Sequence, residues 1–425
     1  MRSARGLVFV LVLALSMMFT VVHAAEPITL TVYMGYDSAN AVAAAMVDEI
    51  IAEYEALNPH IKINNLGRQD NADVILTHIA GGAVPDMVKG GMTMILTLHQ
   101  AGILDPVPVA IADKIRQSFF PVAVDSVTFD GQLIAVPMEG NASALVVNQR
   151  VLGEKGIAEV PKTWAEFAQL GRRITEYDAS GKILTPAVVE PGPDWSLCYI
   201  VLGMFKAEGA QIMDSQGRLT LNTPEARRAV QNLTSALTEK PFMELGWGGH
   251  GRFNTGEIAF GLGMPWWLNP NNVTNITEYR TTLIPAGSAG YGSAFYSHGY
   301  AIPKFAENKE EAWRFLEWLA LRENRTEGTP LGQIAAKVGV LPITRVDVAS
   351  SHFAETRQYY TGFMESLNHA VHPSTFLQYG LSNWTLISRL VSDTALRGVS
   401  PDNAFENVAT QLNAKLEEAA RTKSQ

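Results

Sequence analysis

Ile28-Thr-Leu-Thr-Val-Tyr-Met34 alternates apolar and polar side chains, the period of a strand with one better-buried face. A helical pattern follows, with Met46, Val47, Ile50, Ile51, Tyr54 and Leu57 at three- and four-residue steps, and Asn58-Pro59 stops it. Ile61 to Leu66 reads as a second strand, Ala72 to Ala80 as a second helix closed by Gly81-Gly82, and Met87-Val88 as a short third strand after Pro85-Asp86. Strand and helix alternating at this spacing predict parallel βαβ units in an open sheet, hence an α/β fold.

Working outward, Thr163-Trp-Ala-Glu166 has the form of a capping box, and Thr223-Pro224 and Ser400-Pro401 place a capping hydroxyl before a proline at a helix start. The last helix carries Phe405, Val408, Leu412 and Leu416 on one stripe. No internal repeat and no low-complexity linker interrupts the chain, which favours lobes joined by short crossings.

The chain has 425 residues, enough for two or three domains, and its 47% hydrophobic and 18% charged content is that of a globular protein. Its 33 basic and 42 acidic residues give a net charge of −9, which argues against nucleic acid as a partner. The single cysteine, Cys198, excludes an internal disulfide and a multi-thiolate zinc site. Arg2 and Arg5, an apolar run from Leu7 to Val22, and small residues at Val22-His23-Ala24 form an export signal spanning residues 1–24. No cysteine stands at the cleavage point to carry a lipid. The expectation is a soluble, periplasmic or secreted monomer with a cleaved signal peptide and no anchor.

Catalytic signatures are missing: GxSxG, HExxH and a P-loop are all absent. Gly246-Trp-Gly-Gly-His-Gly251 lacks the Lys-Ser/Thr of a phosphate cradle and reads as a flexible loop. His369 and His372 have no nearby carboxylate, so neither a metal nor a cofactor is expected. Aromatic residues set beside Gly, Pro and Asn carry more: Pro193-Asp194-Trp195, Trp247, Pro265-Trp266-Trp267 and Tyr296-Ser-His-Gly-Tyr300. An indole face with hydroxyls, amides and carboxylates around it suits a sugar ring, apolar on its faces and polar on its edges. By contrast Trp313 and Trp318 sit on a plain amphipathic helix and Trp164 inside its capping box, and all three read as packing. Tyr359-Tyr360 reads as half core, half surface.

Several segments, taken in order, make the chain resemble a known family. Asn58-Pro-His-Ile-Lys-Ile63 looks like "NPxIxV", Gly81 to Asp86 like "GxxPDV", and Gly102 to Pro106 like "GxLxPL". Asp130-Gly-Gln-Leu-Ile-Ala-Val-Pro137 is similar to "DGKxYAxP", Val160-Pro-Lys-Thr-Trp-Ala-Glu-Phe167 to "PxTWxEF" and Phe253-Asn-Thr-Gly-Glu-Ile-Ala-Phe260 to "FxxGxAAM"; Asn308 to Trp313 and Gly339 to Ile343 complete the series. The family is that of family 1 extracellular solute-binding proteins of ABC importers, nearest its carbohydrate and oligosaccharide carriers. Val146-Val-Asn-Gln-Arg-Val-Leu152 is similar to "YNKxLF", although Val147 stands where the family usually has tyrosine, and Pro265-Trp-Trp-Leu-Asn-Pro270 is unusually aromatic.

The resemblance implies a two-lobed, type II periplasmic-binding-protein fold, each lobe an open, mostly parallel sheet flanked by helices, with the ligand between lobes. The first lobe would hold residues 25–138 and 300–344 and the second 141–298 and 346–425, with crossings near 138–141, 297–300 and 344–346. It implies a carbohydrate ligand and ABC permease subunits as partners, with no enzyme activity. Ligands of open α/β sheets sit beyond the carboxyl ends of the strands, which nominates Tyr36 and Asp37, Gln69 and Asp70, Gly90 and Gly91, and Glu139 and Asn141. The glycines would leave room for a ring; Trp195, Trp266, Trp267 and Tyr300, next to Gly299, would stack; Arg345 is a further candidate at the third crossing. Two alternatives remain: a secreted carbohydrate-active enzyme using Glu139 and Asp194, and a carrier for glycerol-phosphate or another small solute.

Overall fold

The structure is a computed structural model describing residues 27–36, 41–190, 192, 195–215, 218–269, 273–324, 326–373, 376 and 384–423. The export signal, Asp37 and Asp194 lie outside the described residues, as do the side chains of Trp195 and Trp247.

The predicted units form. Strand β1 (Ile28–Val32) pairs in parallel with β2 (Ile61–Asn65) in the register Ile28↔Ile61 to Val32↔Asn65, and helix α1 (Ala41–Leu57) connects them. Helix α2 (Ala72–Ala80) leads to β3 (Val88–Gly91), which joins β1 through the parallel bridge Val32↔Met87. The stripe read on α1 is buried at Val47, Ile50 and Tyr54, and Tyr54 meets Phe315 at 4.7 Å and Trp318 at 5.0 Å. Trp313 and Trp318 therefore pack, as their helix Lys309–Leu321 predicts.

A second sheet of five strands has the order Met243–Leu245, Val188–Glu190, Phe260–Gly263, Ala144–Asn148, Tyr279–Thr282. Its first three strands are mutually parallel and the last two add antiparallel pairs. The capping box at Thr163 and Glu166 closes as read, over a helix that buries Trp164 and Phe167. Tyr360 is buried and Tyr359 half-buried. The glycine-rich stretch is a correction: Trp247–Asn254 is a helix rather than a loop. Gly246, at φ +125°, supplies its entry, and the fully buried Phe253 anchors its far turn, so packing overrides the low helix propensity of glycine.

Three segments run side by side between these sheets. Strand His298–Ala301 pairs antiparallel with β3 and with Val136–Pro137, whereas Ser293–Tyr296, immediately before it, pairs with Asn141–Ala142. Gly140 bridges Leu341, which brings the third segment alongside the first. These antiparallel additions arise where the chain passes from one sheet system to the other. Among the described residues no helix is long and apolar enough to cross a membrane.

Candidate functional site

Gly91, the last residue of β3, stands opposite His298, the first residue of its partner strand. Gly263, the last residue of its strand, stands opposite Ala144, three positions past Asn141. The carboxyl ends of β3 and of Phe260–Gly263 are thereby paired with the segments at His298 and at Ala144.

At the centre is Glu139, 4% exposed. One carboxylate oxygen lies 2.6 Å from Nδ1 of His298, and Tyr36 donates its hydroxyl to the other at 3.0 Å. Burial alone would raise this carboxyl. The His298 imidazole, the Lys89 ammonium and the Tyr36 hydroxyl outweigh that and hold it down, at about 2, so Glu139 is an anion at neutral pH. Lys89 lies 4.5 Å from the centre of the Tyr36 ring, and its stem runs against Gly35, where a β-carbon would come within 2.0 Å of it. Gly35, at φ +96°, is thus the residue that lets the chain after β1 turn beneath Lys89. Burial pushes the Lys89 ammonium down, against the fields of Glu139 and Asp70.

The network continues across the crossing. Tyr296 places its hydroxyl 3.2 Å from Nε2 of His298, and its ring meets Tyr199 edge-on at 5.6 Å. Ser297, between them, donates to the carbonyl of Glu139 at 2.7 Å. A continuous polar and aromatic network thus runs from Tyr36 to Tyr199.

Two buried polar side chains stand out. Asn141, 6% exposed, and Glu190, fully buried, each keep one side-chain oxygen without a hydrogen-bond partner among the described residues. The other oxygen of Glu190 accepts from the Gly192 N–H at 3.1 Å. Burial pushes the Glu190 carboxyl up to about 8, against the hydrogen bonds from Ser196 and Gly192, so it is predominantly protonated at neutral pH. An unpartnered buried polar atom costs about 1–3 kcal/mol, a cost that a guest hydroxyl, both donor and acceptor, would relieve.

Of the residues nominated above, Tyr36 and Glu139 are brought together by a hydrogen bond, and Asn141 follows Glu139 by two positions. Several other expectations are corrected. Trp267 is fully buried, with its ring over Gly261 and Gly263 and 5.5 Å from Phe253, and it is core rather than a stacking platform. A β-carbon at Gly263 would fall within 2.7 Å of that indole, so the glycines make its slot. Trp266, 6.2 Å from Trp267, is half-buried. Tyr300 is also fully buried, donating to the carbonyl of Met34 at 3.1 Å, and so cannot stack on a guest. The room at the cleft glycines is already filled: Met94 occupies it at Gly90 and the Tyr296 hydroxyl at Gly91, while Gly299 permits close approach to Ala135. Arg345 is exposed, 5.9 Å over Phe120. Gln69 accepts from the Asn71 N–H, and exposed Asp70 pairs with Arg68, although its field reaches Lys89 and Tyr296. Lys89, Glu190, Tyr199, Tyr296 and His298 were not nominated. Tyr296 and His298 lie inside the aromatic segment at the second crossing, and Glu190 ends a strand just before Pro191-Gly-Pro193, the position that strand-end reasoning should have flagged.

Comparison with known proteins decides the class. The profile of bacterial extracellular solute-binding proteins matches residues 38–326. The chain belongs to this family. Among curated family relatives, the maltotriose-binding protein of Pyrococcus abyssi is 23% identical over 332 residues, covering 75% of this chain and 67% of that protein. Among solved structures, maltose-bound MalE3 of T. maritima superposes with a TM-score of 0.74 at 20% identity, covering 91% of this chain and 99% of that one. UgpB from Mycobacterium tuberculosis, in complex with glycerophosphocholine, gives 0.74 at 18% identity, covering 93% and 99%. The fold is the two-lobed binding-protein fold of these structures.

Proposed function

We propose that this solute-binding protein captures a sugar or short oligosaccharide outside the cytoplasm and delivers it, unaltered, to the membrane subunits of an ABC importer. The observation that carries the reading is the network about Glu139, whose ionised carboxylate is held by His298 and Tyr36, together with the buried Asn141 side-chain oxygen that has no hydrogen-bond partner among the described residues. Sugar hydroxyls supply donors at their edges and C–H faces for the ring. Glu139, held ionised and oriented by His298 and Tyr36, accepts further hydroxyls.

In this reading the lobes comprise residues 25–138 with 300–344, and 141–298 with 346–425, and they hinge near 138–141, 297–300 and 344–346. Each lobe contributes contacts only when the cleft is shut, so the guest shifts the population toward the closed form that the permease reads. Release requires moderate affinity, on the order of 1 μM, or about −8 kcal/mol. The protein acts as a periplasmic monomer without a cofactor. The relatives' ligands, maltotriose and maltose, point to the same class.

A phosphodiester guest is less well served: Lys89 and Arg68 are offset by Glu139 and Asp70, so the anion would face a carboxylate. As a glycosidase the site lacks a free acid at Glu139, whose carboxyl is ionised and engaged on both oxygens. A thermal-shift screen against mono-, di- and trisaccharides and glycerophosphodiesters, with product analysis of each mixture, tests the proposal. Saccharides that raise Tm and are recovered intact support it; a shift with glycerophosphodiesters alone, or cleaved product, contradicts it.

A further inference from the structure

Lys89 is a buried cation without a bonded counterion. It is 6% exposed, yet its ammonium makes no hydrogen bond and no ion pair among the described residues. A charge taken out of water unpaired is costly, so this position calls for an acceptor from outside the chain. Its place is fixed by its neighbours. Lys89 and Gly91 stand two positions apart on β3 and so share a face of the strand. A β-carbon at Gly91 would meet the Tyr296 hydroxyl at 2.2 Å and the His298 ring at 3.7 Å, whereas one at Gly90 would meet Met94. Lys89 therefore lies on the face that carries the Tyr296–His298 network.

Tyr36 ties this cation to the anion of the site. The ammonium sits 4.5 Å from the centre of the Tyr36 ring, and the hydroxyl of the same ring donates to Glu139 at 3.0 Å. Lys89 and Glu139 feel each other's field but form no ion pair. Asp70, whose field also reaches Lys89, is already paired with Arg68. Each carboxylate oxygen of Glu139 has one side-chain partner and can accept a second. Resting on the carbohydrate reading above, we infer that Lys89 donates directly to the guest and, set against Glu139, restricts it to uncharged sugar units. A hydroxyl accepts from an ammonium and donates to a carboxylate, so it satisfies both. A uronate only accepts and is repelled by Glu139; the ammonium of an amino sugar only donates and is repelled by Lys89.

The experiment is calorimetric titration of the full chain at pH 6 with hexose trimers: glucose α-1,4 and β-1,4, mannose β-1,4 and galactose β-1,4. Each is compared with its 6-amino-6-deoxy form and its uronate form. Wild type is set beside Lys89→Met and Lys89→Gln, both of which remove the charge, with Tm as a control for folding. The inference predicts that wild type binds a neutral trimer at least tenfold more tightly than either charged form. Both substitutions should weaken the neutral trimer at least tenfold without lowering Tm. They should also shrink the disadvantage of the amino form at least tenfold, since the cation that repels it is gone, and leave the uronate excluded. A charged form that binds wild type as well as its neutral parent overturns the assignment and leaves the carbohydrate reading standing. So do substitutions that leave affinity and charge preference unchanged, or that lower Tm and every affinity alike, which would make Lys89 merely structural. Binding of no trimer, neutral or charged, overturns that reading and the assignment with it.

Discussion

The hydroxyl of Tyr296 lies 3.2 Å from Nε2 of His298, although strand Ser293–Tyr296 pairs with Asn141–Ala142 and strand His298–Ala301 pairs with β3. This contact links strands of two different sheets, and through His298 it reaches Glu139, whose carbonyl also accepts from Ser297. A group that ties two sheets together can couple what touches Tyr36 on one side to what touches Tyr199 on the other.

Glu139 gives the first prediction. Its carboxyl is held down at about 2, so its stabilising contribution is complete above the ordinary value of 4.5 and is lost as pH falls toward 2. Glu139→Gln should flatten this part of the acid limb of a stability–pH curve. His372, pushed down to about 3 by burial, destabilises the fold over an overlapping range as pH falls below 6.5, so the comparison must be a difference between variant and wild type. A difference that does not change between pH 6 and pH 3 would contradict the assignment.

The two adjacent indoles should separate cleanly. Trp267→Ala empties a slot shaped by Gly261 and Gly263 and should cost about 3–5 kcal/mol in urea unfolding. Trp266→Ala should leave stability nearly unchanged and weaken saccharide binding at least tenfold, or about 1.4 kcal/mol. Equal stability losses in both would place Trp266 in the core as well.

Glu190 has the opposite pH sign. With its carboxyl pushed up to about 8, its contribution is complete below 4.5 and is lost as pH rises through 8. Relative to wild type, Glu190→Gln should therefore be more stable at pH 9 than at pH 5, measured by thermal unfolding without ligand. A pH-independent offset would show that the carboxyl is not buried as described.

Gly91→Ala places a β-carbon 2.2 Å from the Tyr296 hydroxyl and must displace that ring. Saccharide affinity should fall, and Gly91→Ala with Tyr296→Phe should recover part of it, because removing the hydroxyl restores space. A double variant no better than the single one would mean that the clash propagates elsewhere.

What the sequence disclosed follows from the range of the interactions involved. The β1-α1-β2 unit, the Thr163 capping box and the packing role of Trp313 were legible because periodicity and capping are local. The binding-protein class was legible from ordered motifs. Trp267 and Tyr300 were misread because burial depends on Gly261, Gly263 and Met34, none of which announces its proximity in the chain. Gly246 to Gly251 was misread because a buried Phe253 outweighed glycine's cost. Glu139–His298, 159 positions apart, needed the crossings to be in place before the pair could be seen.

Small-angle scattering of the protein, alone and saturated with the saccharide giving the largest thermal shift, tests the central claim most directly. Closure predicts a smaller radius of gyration in the complex, with the change abolished in Trp266→Ala at the same ligand concentration. Saturable binding with identical scattering curves would contradict a two-lobed clamp.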